Sequence, residues 1–417
     1  MKKLECAVQN YAWGKKGLES TVGVLFQSLN SGKEIDTSKT YAELWMGTHP
    51  SAPSKMNNEN ILLSDFLKIN VKEYFSSNEV VEFFEKQGYD HASLPFLFKV
   101  LSVNQALSIQ AHPNQHLAKQ LFNNDPEHYK DPYHKPELCY ALTDFEALCA
   151  FQTIENVISN IKSVEELQSL LRVNNNEFVE SIITKSEQDI RNMSKEDKRA
   201  TLKELFKLLM TSHKSQVDTF LPVLVRKLQQ KENASPVEKL LLRLYSDYGN
   251  DIGCFSVYFM NYITLKPGEA LFLGPNEPHS YLSGDCVECM ASSDNVVRAG
   301  LTPKFIDTNT LVEMLTYDDE ALEKMKLVPQ KINEFETLYV PPVSEFKVHK
   351  ISLINQHDIY KWSTSGISIA IVMEGVGSVD GVTVKKGDVF LFPCNATAQW
   401  SNDGCSAFEV FISSTNL

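Results

Sequence analysis

The sequence lacks the long apolar runs that membrane-spanning proteins need. No stretch of its 417 residues approaches the roughly 18 consecutive apolar residues that cross a bilayer. Residues 1–5 (MKKLE) carry the charges of a secretion signal, but no apolar segment follows them. We therefore expect a soluble, cytoplasmic protein without a membrane partner.

The sequence also lacks an excess of positive charge. Its 40 lysines and arginines are outnumbered by 53 aspartates and glutamates, which gives a formal net charge of -13 and a pI of about 5.3. An acidic protein repels phosphate backbones, so we expect no nucleic-acid partner. An anionic ligand would require a local cluster of basic side chains that stands against this overall charge.

Cysteine is scarce and shows no pairing pattern. The 8 cysteines are scattered, and only Cys286 and Cys289 form a CxxC pair, without a second CxxC elsewhere. In a reducing compartment we expect free thiols. Two such thiols on one β-strand would point to opposite faces, so we predict core cysteines rather than a redox or metal site.

The spacing of apolar residues predicts a helical segment in the middle of the chain. Residues 152–250 have apolar residues at helical intervals. Start signals occur at Ser163, Ser194 and Ser235, and Gly249 is a candidate helix end. This segment contains no chemical motif, so we expect it to have a packing or gating role.

The segments on either side of the helical one are of β type. Residues 255–265 are aromatic or β-branched almost throughout, so we expect β structure to resume from Cys254. The chain is also too long for a single hydrophobic core. The predicted domains are a catalytic β domain (1–151 and 251–320), a helical insert (152–250) and a C-terminal β domain (321–417).

A short repeat connects the two β domains. Residues 266–273 (KPGEALFL) align with residues 385–392 (KKGDVFLF), and His279 then aligns with Ala398. Each copy reads as turn, strand and turn, which is typical of a cupin-like jelly-roll; the alternative is two unrelated hairpins. We predict two cupin-like jelly-roll β-barrels plus a helical domain, with a metal-free, structural C-terminal barrel.

Polar side chains alternate along residues 107–113. Ser108, Gln110 and His112 face one side of an extended segment, and apolar residues face the other. The proline after His112 favours an extended conformation there, which argues against a helical metal pair with His116. We place His116 on the following helix in contact with solvent. A polar triplet on the inner face of a barrel strand predicts a pocket.

Two further segments add potential metal ligands. Glu137 ends the segment 134–137 (HKPE), and His279 follows a Gly-Pro-Asn turn. Together with Gln110 and His112 they offer two imidazoles, a carboxylate and an amide oxygen. Two histidines and a carboxylate suit zinc with an open position, but also non-haem iron. Taken alone, each such residue is more often a buried, hydrogen-bonded polar group than a metal ligand.

Six longer segments carry a specific resemblance. They are residues 8–15 (VQNYAWGK), 41–50 (YAELWMGTHP), 107–113 (LSIQAHP), 134–137 (HKPE), 284–290 (GDCVECM) and 294–304 (DNVVRAGLTPK). In these segments the chain resembles the type I mannose-6-phosphate isomerases, or phosphomannose isomerases, of the cupin superfamily. The resemblance runs in register from about residue 6 to 310, with a looser helical insert, and becomes general after about residue 320.

The resemblance implies a zinc-dependent aldose–ketose isomerase. Such an enzyme interconverts mannose 6-phosphate and fructose 6-phosphate through an enediol(ate), and it feeds GDP-mannose synthesis and mannose use. The implied ligands of one Zn²⁺ per chain are Gln110, His112, Glu137 and His279. The implied catalytic residues are Arg298, Lys135 and Glu288, and the implied substrate-binding residues are Trp13, Glu43, Lys99, Ser108 and Lys304.

These residues suggest a division of roles. We expect Lys135 or Glu288 to move the proton and Arg298 to stabilise negative charge on the substrate oxygens. Lys99, Lys304 and Ser108 are the expected phosphate anchor. The expected partner is a small sugar phosphate, and we expect a monomer.

Three other functions fit parts of the pattern. An iron dioxygenase would use the two histidines and the carboxylate, but not the glutamine. A sugar-phosphate sensor would keep the pocket without turnover, and the intact set of ligands and Arg298 argues against it. A purely structural β protein would not need the polar face of residues 108–112.

Overall fold

Two large antiparallel β-sheets pack against each other at the centre of the structure. The coordinates are a computed structural model, which describes residues 1–416 except 30–33, 58, 76–81, 85, 87 and 89–92. The apolar layer between the sheets includes Tyr140 and Val287 from one sheet and Val348 and Phe411 from the other. None of the helices in the described ranges is long and apolar enough to cross a bilayer.

The part of the chain before the insert supplies strands to both sheets. Its strands are β1 (Lys2–Glu5), β2 (Ala7–Gln9), β3 (Lys15–Lys16), β4 (Thr40–Tyr41), β5 (Glu43–Met46), β6 (Lys55–Met56), β7 (Phe96–Val103), β8 (Ile109–Ala111), β9 (Glu137–Ala141) and β10 (Phe145–Phe151). Its helices are α1 (Thr21–Leu29), α2 (Leu63–Ile69), α3 (Val71–Tyr74) and α4 (Gln115–Asn124), with a 3₁₀ helix at Gly17–Glu19. His116 is exposed on α4, as predicted.

The predicted helical insert is confirmed. Its helices are α5 (Ile154–Ser163), α6 (Glu165–Ile183), α7 (Glu187–Arg191), α8 (Lys195–Met210), α9 (Lys214–Gln229) and α10 (Pro236–Tyr248). Ser194 and Ser235 accept capping hydrogen bonds from Asp197 and Glu238, and Gly249 ends α10 with φ +63°. The start predicted at Ser163 is wrong, because Ser163 is the last residue of α5 and its hydroxyl donates back to the Asn160 carbonyl.

The return to β structure comes later than predicted. Residues Ile252–Tyr258 form a buried 3₁₀ helix, and β11 begins at Met260. Asp251 explains the difference, because its carboxylate accepts from the backbone N–H groups of Gly253 at 2.7 Å and Leu301 at 2.9 Å. A capped turn that satisfies backbone donors competes with the strand that Phe255 and Val257 favour locally.

The remaining elements complete the first β part and form the C-terminal β part. They are β11 (Met260–Leu265), β12 (Ala270–Leu273), β13 (His279–Ala291), β14 (Val297–Gly300), α11 (Thr308–Met314), α12 (Ala321–Met325), β15 (Lys326–Leu327), β16 (Gln330–Lys331), β17 (Glu336–Tyr339), β18 (Lys347–Leu353), β19 (Ile359–Ser363), β20 (Ser368–Glu374), β21 (Val376–Val379), β22 (Val382–Lys385), β23 (Val389–Phe392), β24 (Thr397–Asn402) and β25 (Phe408–Ser414).

Strand β13 is central to the first β part because it belongs to two layers. Its first half pairs with β10 and β8, and β8 continues to β14. Its second half lies between β9 and β7 in the order β15-β12-β9-β13-β7-β5-β2. Cys286 faces the interior of this part and Cys289 faces the layer between the sheets, so the prediction of two core cysteines is confirmed.

The C-terminal part is a second β structure whose large sheet includes strands from the start of the chain. Its large sheet has the order β16-β17-β18-β25-β20-β23-β1-β6, and β19-β24-β21-β22 form the opposing sheet. Strand β1 therefore lies beside β23 and β6 lies beside β1, although both belong to the N-terminal part of the sequence. The fold as a whole is mainly β with a helical insert, as predicted.

The sequence repeat has the same local structure in both copies. Gly268 and Gly387 have φ of +97° and +93°. In each copy the following carboxylate accepts a backbone N–H three residues earlier, at 2.7 Å for Glu269 and at 3.0 Å for Asp388. The strands β12 and β23 then follow in equivalent positions, so the two segments are not unrelated hairpins.

The C-terminal barrel offers a test of these turns. Gly381 and Gly387 both have left-handed φ, but an added Cβ at Gly381 would meet nothing within 4 Å, whereas at Gly387 it would lie 3.0 Å from the Leu25 carbonyl oxygen. Gly381→Ala should lower the free energy of unfolding by about 1–2 kcal/mol, from backbone strain alone. Gly387→Ala should lower it further because of the added contact. Urea unfolding of both variants measures the difference, and equal losses would contradict the explanation.

Candidate active site and metal centre

Three neighbouring strands place potential functional side chains in one row. Gln110 in β8 lies directly opposite His279 in β13 and opposite Arg298 in β14. Residues directly opposite each other in antiparallel strands project from the same face of the sheet. The register therefore puts an imidazole, an amide and a guanidinium side by side, although they are far apart in sequence.

His112, Glu137 and His279 form a buried group with the geometry of a metal site. Their ligand atoms all lie within 4.8 Å of one another. Glu137 Oε1 is 3.2 Å from His112 Nε2, and Glu137 Oε2 is 3.6 Å from His279 Nε2. Gln110 lies alongside, because its register partner is His279.

This group of side chains can hold a bound cation, because several of their polar atoms lack protein partners. The Nε2 atoms of His112 and His279 and the Oε2 atom of Glu137 are buried and form no hydrogen bond with the described residues. A buried polar atom without a partner costs about 1–3 kcal/mol. Two imidazoles and a carboxylate that converge in this way match the donor set that zinc prefers.

Backbone carbonyls fix the orientation of both imidazoles. His112 Nδ1 lies 2.8 Å from the Asn295 carbonyl oxygen, and His279 Nδ1 lies 3.1 Å from that of Glu277. A carbonyl can only accept, so each Nδ1 carries the proton and each Nε2 presents a lone pair towards Glu137.

The ionisation states of the group suit metal ligation. Burial lowers the pKa of His112, and it lowers the pKa of His279 to about 4. Burial alone would raise the pKa of Glu137, but Lys135 and His112 outweigh it, so the net pKa lies well below its ordinary value. Two neutral imidazoles and an ionised carboxylate are the forms that bind a metal.

A cavity of about 310 Å³ opens above this group. The two histidines lie beneath its floor, with no exposed surface. The structure thus brings together all of the candidate residues from the sequence. The candidates that line the cavity are Trp13, Glu43, Lys99, Ser108, Gln110, Lys135, Glu137, Glu288, Arg298 and Lys304.

Within the cavity the carboxylates are paired with lysines. Lys99 Nζ lies 3.3 Å from Glu43 and 3.1 Å from Glu288, and Lys135 Nζ lies 3.1 Å from Glu137. Burial alone would lower the pKa of Lys99, but the two carboxylates outweigh it and raise the net pKa. Burial raises the pKa of Glu288 to about 7, and Lys99 limits this rise.

Arg298 and Lys304 are the cations of the cavity that form no ion pair with the described residues. Burial lowers the pKa of both side chains, and for Lys304 the charge of Arg298 adds to the effect. Lys304 Nζ lies over the ring of Tyr11, 5.9 Å from its centre. These two side chains therefore provide unpaired positive charge on one side of the cavity.

Sequence reasoning missed several lining residues. Tyr11, Trp45, His49 and Asp294 lie inside segments that carry the family resemblance, so their position was a usable signal. His49 Nε2 lies 3.2 Å from Asp294 Oδ1. Other lining residues lie outside these segments and had no such signal.

Tyr248 and Tyr281 are aromatic lining residues that the sequence analysis did not predict. Tyr248 ends α10, and its hydroxyl donates to the Ala106 carbonyl, which connects the insert to the cavity wall. The Tyr281 hydroxyl is buried and has no hydrogen-bond partner among the described residues. Both tyrosines lie outside the segments on which the family resemblance rests.

Comparisons with protein families match most of the chain. The model of the phosphomannose isomerase type I catalytic domain matches residues 1–154, and that of the helical insertion domain matches residues 170–260. The mannose-6-phosphate isomerase of Rattus norvegicus is 41% identical over 408 residues, which cover 94% of this chain and 93% of the rat protein. The Homo sapiens enzyme is 41% identical over 390 residues, which cover 89% of this chain and 87% of the human protein.

Solved structures give the same result. A crystal structure of mannose 6-phosphate isomerase bound with zinc and yttrium matches with a TM-score of 0.81 and 29% identity, and it covers 100% of both chains. A zinc-bound crystal structure of mannose 6-phosphate isomerase matches with a TM-score of 0.80 and 28% identity over 100% of this chain and 99% of the other.

Proposed function

The chain belongs to the type I phosphomannose isomerase family, and from this premise we propose that it interconverts D-mannose 6-phosphate and D-fructose 6-phosphate with the help of zinc. The observation that carries the proposal is the group of His112, Glu137 and His279, whose unpartnered atoms converge beneath a cavity with two unpaired cations. In this proposal Gln110 is the fourth protein ligand. When bound, zinc supplies a Lewis acid that polarises the oxygens on C1 and C2 of the open sugar.

The reaction requires one proton to move between two carbon atoms. A base removes the proton from C2 of the aldose to form the enediol(ate), a proton leaves O2 and one is gained at O1, and the carbon-bound proton is returned to C1, so the reaction has no net redox change. Glu288 is the favoured base, because its pKa of about 7 lies near neutral pH. Lys135 is the second candidate, and its ion pair with Glu137 at 3.1 Å holds it beside the metal ligands.

Arg298 is proposed to stabilise the negative charge that develops on the substrate oxygens. Its position opposite Gln110 places it in the same row as the ligands. A guanidinium stays protonated at neutral pH even when burial lowers its pKa, so Arg298 acts as an electrostatic group and not as a base. Trp13 lines the same cavity and is proposed to contact the sugar.

The phosphate is proposed to bind Lys304 and the hydroxyl of Ser108. Lys304 forms no ion pair among the described residues, although Glu43 and Asp294 act on it from a greater distance, and Arg298 adds positive charge nearby. Lys99, by contrast, is held between Glu43 and Glu288. We therefore assign Lys99 and Glu43 to the shaping of the cavity and the setting of the pKa of Glu288.

The wider context of the reaction is also a proposal. We propose that the protein acts as a cytoplasmic monomer with one Zn²⁺ per chain and that its product supports GDP-mannose synthesis and mannose use. The division into residues 1–151 with 251–320, 152–250 and 321–417 is proposed as its domain organisation. The metal-free role of the C-terminal barrel belongs to the same proposal.

The direct test is the isomerisation of mannose 6-phosphate to fructose 6-phosphate. Chelated protein should lose turnover, and added Zn²⁺ should restore it, because the buried ligand group would regain its cation. His279→Ala, which removes one ligand, should not recover with the same zinc addition. Absence of turnover in folded, zinc-loaded protein would instead favour a sugar-phosphate sensor.

The pH dependence distinguishes the two candidate bases. A carboxylate base acts when it is ionised, so a Glu288 pKa of about 7 predicts that kcat/KM is half-maximal at about pH 7 and levels off only above that pH. Glu288→Gln should lower kcat by about 10²–10⁴-fold and remove the acidic limb.

Glu277 provides the control for this measurement. Burial also raises its pKa to about 7, but its side chain does not line the cavity. The profile of Glu277→Gln should keep its acidic limb. If Glu288→Gln keeps the limb and Lys135→Met loses it, Lys135 is the base.

The phosphate anchor predicts a selective effect on substrate binding. Lys304→Ala should raise KM for mannose 6-phosphate by about 10–100-fold, which corresponds to the loss of one charged hydrogen bond. The kcat value should stay within a few-fold, since the reacting carbons lie at the other end of the sugar.

Lys347→Ala is the matched control for this substitution. Lys347 is half-buried and its pKa is lowered by burial, but it lies on β18 in the C-terminal barrel. The Lys347→Ala substitution should leave KM for mannose 6-phosphate unchanged. A Lys304→Ala enzyme with an unchanged KM would remove Lys304 from the anchor.

A further inference from the structure

Two polar residues outside the ligand set, the partly buried Asp131 and the buried Asn295, join the segments that carry Glu137 and Arg298. Asp131 lies six residues before Glu137, and Asn295 lies three residues before Arg298. Their side chains meet between the loop before β9 and the loop before β14. We refer to this contact as the Asp131–Asn295 clasp.

The Asn295 amide holds the loop before Glu137 through its backbone. Asn295 Nδ2 donates to the carbonyl oxygens of Asp131 at 2.7 Å and Tyr133 at 2.8 Å, and it lies 3.2 Å from Asp131 Oδ1. Asn295 itself is fully buried. The side chain thus fixes the position of its own backbone against a neighbouring loop.

The Asp131 carboxylate closes the clasp from the other side. Its Oδ1 atom accepts from the Ser293 hydroxyl at 2.8 Å and from the Tyr133 N–H at 3.0 Å, and its Oδ2 atom accepts from the Asp294 N–H at 2.7 Å. The Ser293 hydroxyl also accepts from the Asn295 N–H at 3.1 Å. Every one of these bonds involves residue 131 or 133 or the loop 293–295.

The clasp ends at a metal ligand. The Asn295 carbonyl oxygen is the acceptor for His112 Nδ1, at 2.8 Å. If this carbonyl moved away, the proton of the imidazole could shift to Nε2, and a protonated Nε2 cannot bind a metal. The hydrogen bond that holds a ligating histidine is therefore part of the metal site.

We propose that Asn295, held by Asp131, is a positioning residue that fixes the tautomer and ring orientation of His112 and thereby sets the affinity of the site for zinc. The proposal rests on the zinc site of the proposed function. Neither side chain touches the cavity, since both act through the backbone of Asn295. The clasp also orders the loops that lead to Lys135 and Arg298.

The test measures zinc affinity directly, by competition with a chromogenic chelator on the metal-free, full-length protein. Asn295→Ala should weaken zinc binding by about 10–100-fold, the range for loss of an outer partner of a ligating histidine. Asp131→Asn should also weaken zinc binding, but by less than Asn295→Ala does, because it keeps the size of the side chain and some of its hydrogen bonds.

Asn402→Ala is the matched control. Asn402 is also fully buried and also ties two backbone segments together, with 3.0 Å hydrogen bonds to the Leu353 and Ser406 carbonyls, but it lies in the C-terminal barrel. It should lower the melting temperature and leave the zinc affinity unchanged. A general loss of stability would thus be seen without a loss of metal affinity.

The outcomes separate this proposal from the metal site itself. Wild-type protein that binds no zinc would overturn the site of the proposed function. Zinc binding by Asn295→Ala and Asp131→Asn with wild-type affinity would overturn the positioning role alone, as would an equal loss in Asn402→Ala. If Asn295→Ala does not fold, Asp131→Asn decides, with its native state verified by circular dichroism.

Discussion

The structure depends on a buried carboxylate that two imidazoles share. Glu137 has 2% of its surface exposed, and the two histidines that face it have none. The hydrogen bonds of the described residues leave one atom of each side chain unpaired. A protein interior tolerates such a group when a cation completes it, so the stability of this part of the barrel is linked to metal binding. The strand order is consistent with this group, because β13 pairs with both the strand that carries Glu137 and the strand that carries Gln110.

The charges of the cavity are arranged around that carboxylate. A chain with a net charge of -13 has to bind an anionic sugar, so its acidic groups near the substrate must be neutralised. Lys99 and Lys135 fulfil this role for three glutamates. The positive charge that remains is that of Arg298 and Lys304. The same ion pairs leave the pKa of Glu288 close to neutral pH. Burial and the neighbouring carboxylates raise this pKa, and Lys99 opposes the rise. In the proposed function, substrate attraction and proton transfer would therefore depend on one set of ion pairs.

Local patterns in the sequence predicted the parts of the fold that are built from local interactions. The alternation from Ser108 to His112 predicted the polar face, and the caps at Ser194 and Ser235 predicted helix starts. Contacts between distant segments could not be predicted in this way. The unpartnered hydroxyl of Tyr281 and the bonds between Asp131 and Asn295 depend on strand order, which short-range periodicity does not encode. The 3₁₀ helix at Ile252–Tyr258 was missed for the same reason, because the Asp251 carboxylate that caps it also binds the distant Leu301.

The repeat explains why the two barrels share a scaffold but differ in chemistry. Glu137 pairs with Leu273 in β12, and Ser368 pairs with Phe392 in β23, so Ser368 occupies the position of Glu137 in the second barrel. Ala398 occupies that of His279 in the sequence alignment. Both ligand positions therefore carry side chains that do not suit a metal.

One polar contact of the cavity nevertheless has a counterpart in the second barrel. Lys99 lies opposite Glu288, and Glu288 comes two residues before the β13 residue that pairs with Glu137. In the same way, His349 lies opposite Ile412, and Ile412 comes two residues before the β25 residue that pairs with Ser368. The pair of His349 and Glu336, at 2.5 Å, thus corresponds to the pair of Lys99 and Glu43. The interior behind it is filled by Trp362, Trp400 and Phe392. Aromatic side chains therefore pack where the first barrel has its cavity. The large sheet of this second barrel also pairs with β1 and packs against the sheet that contains β13.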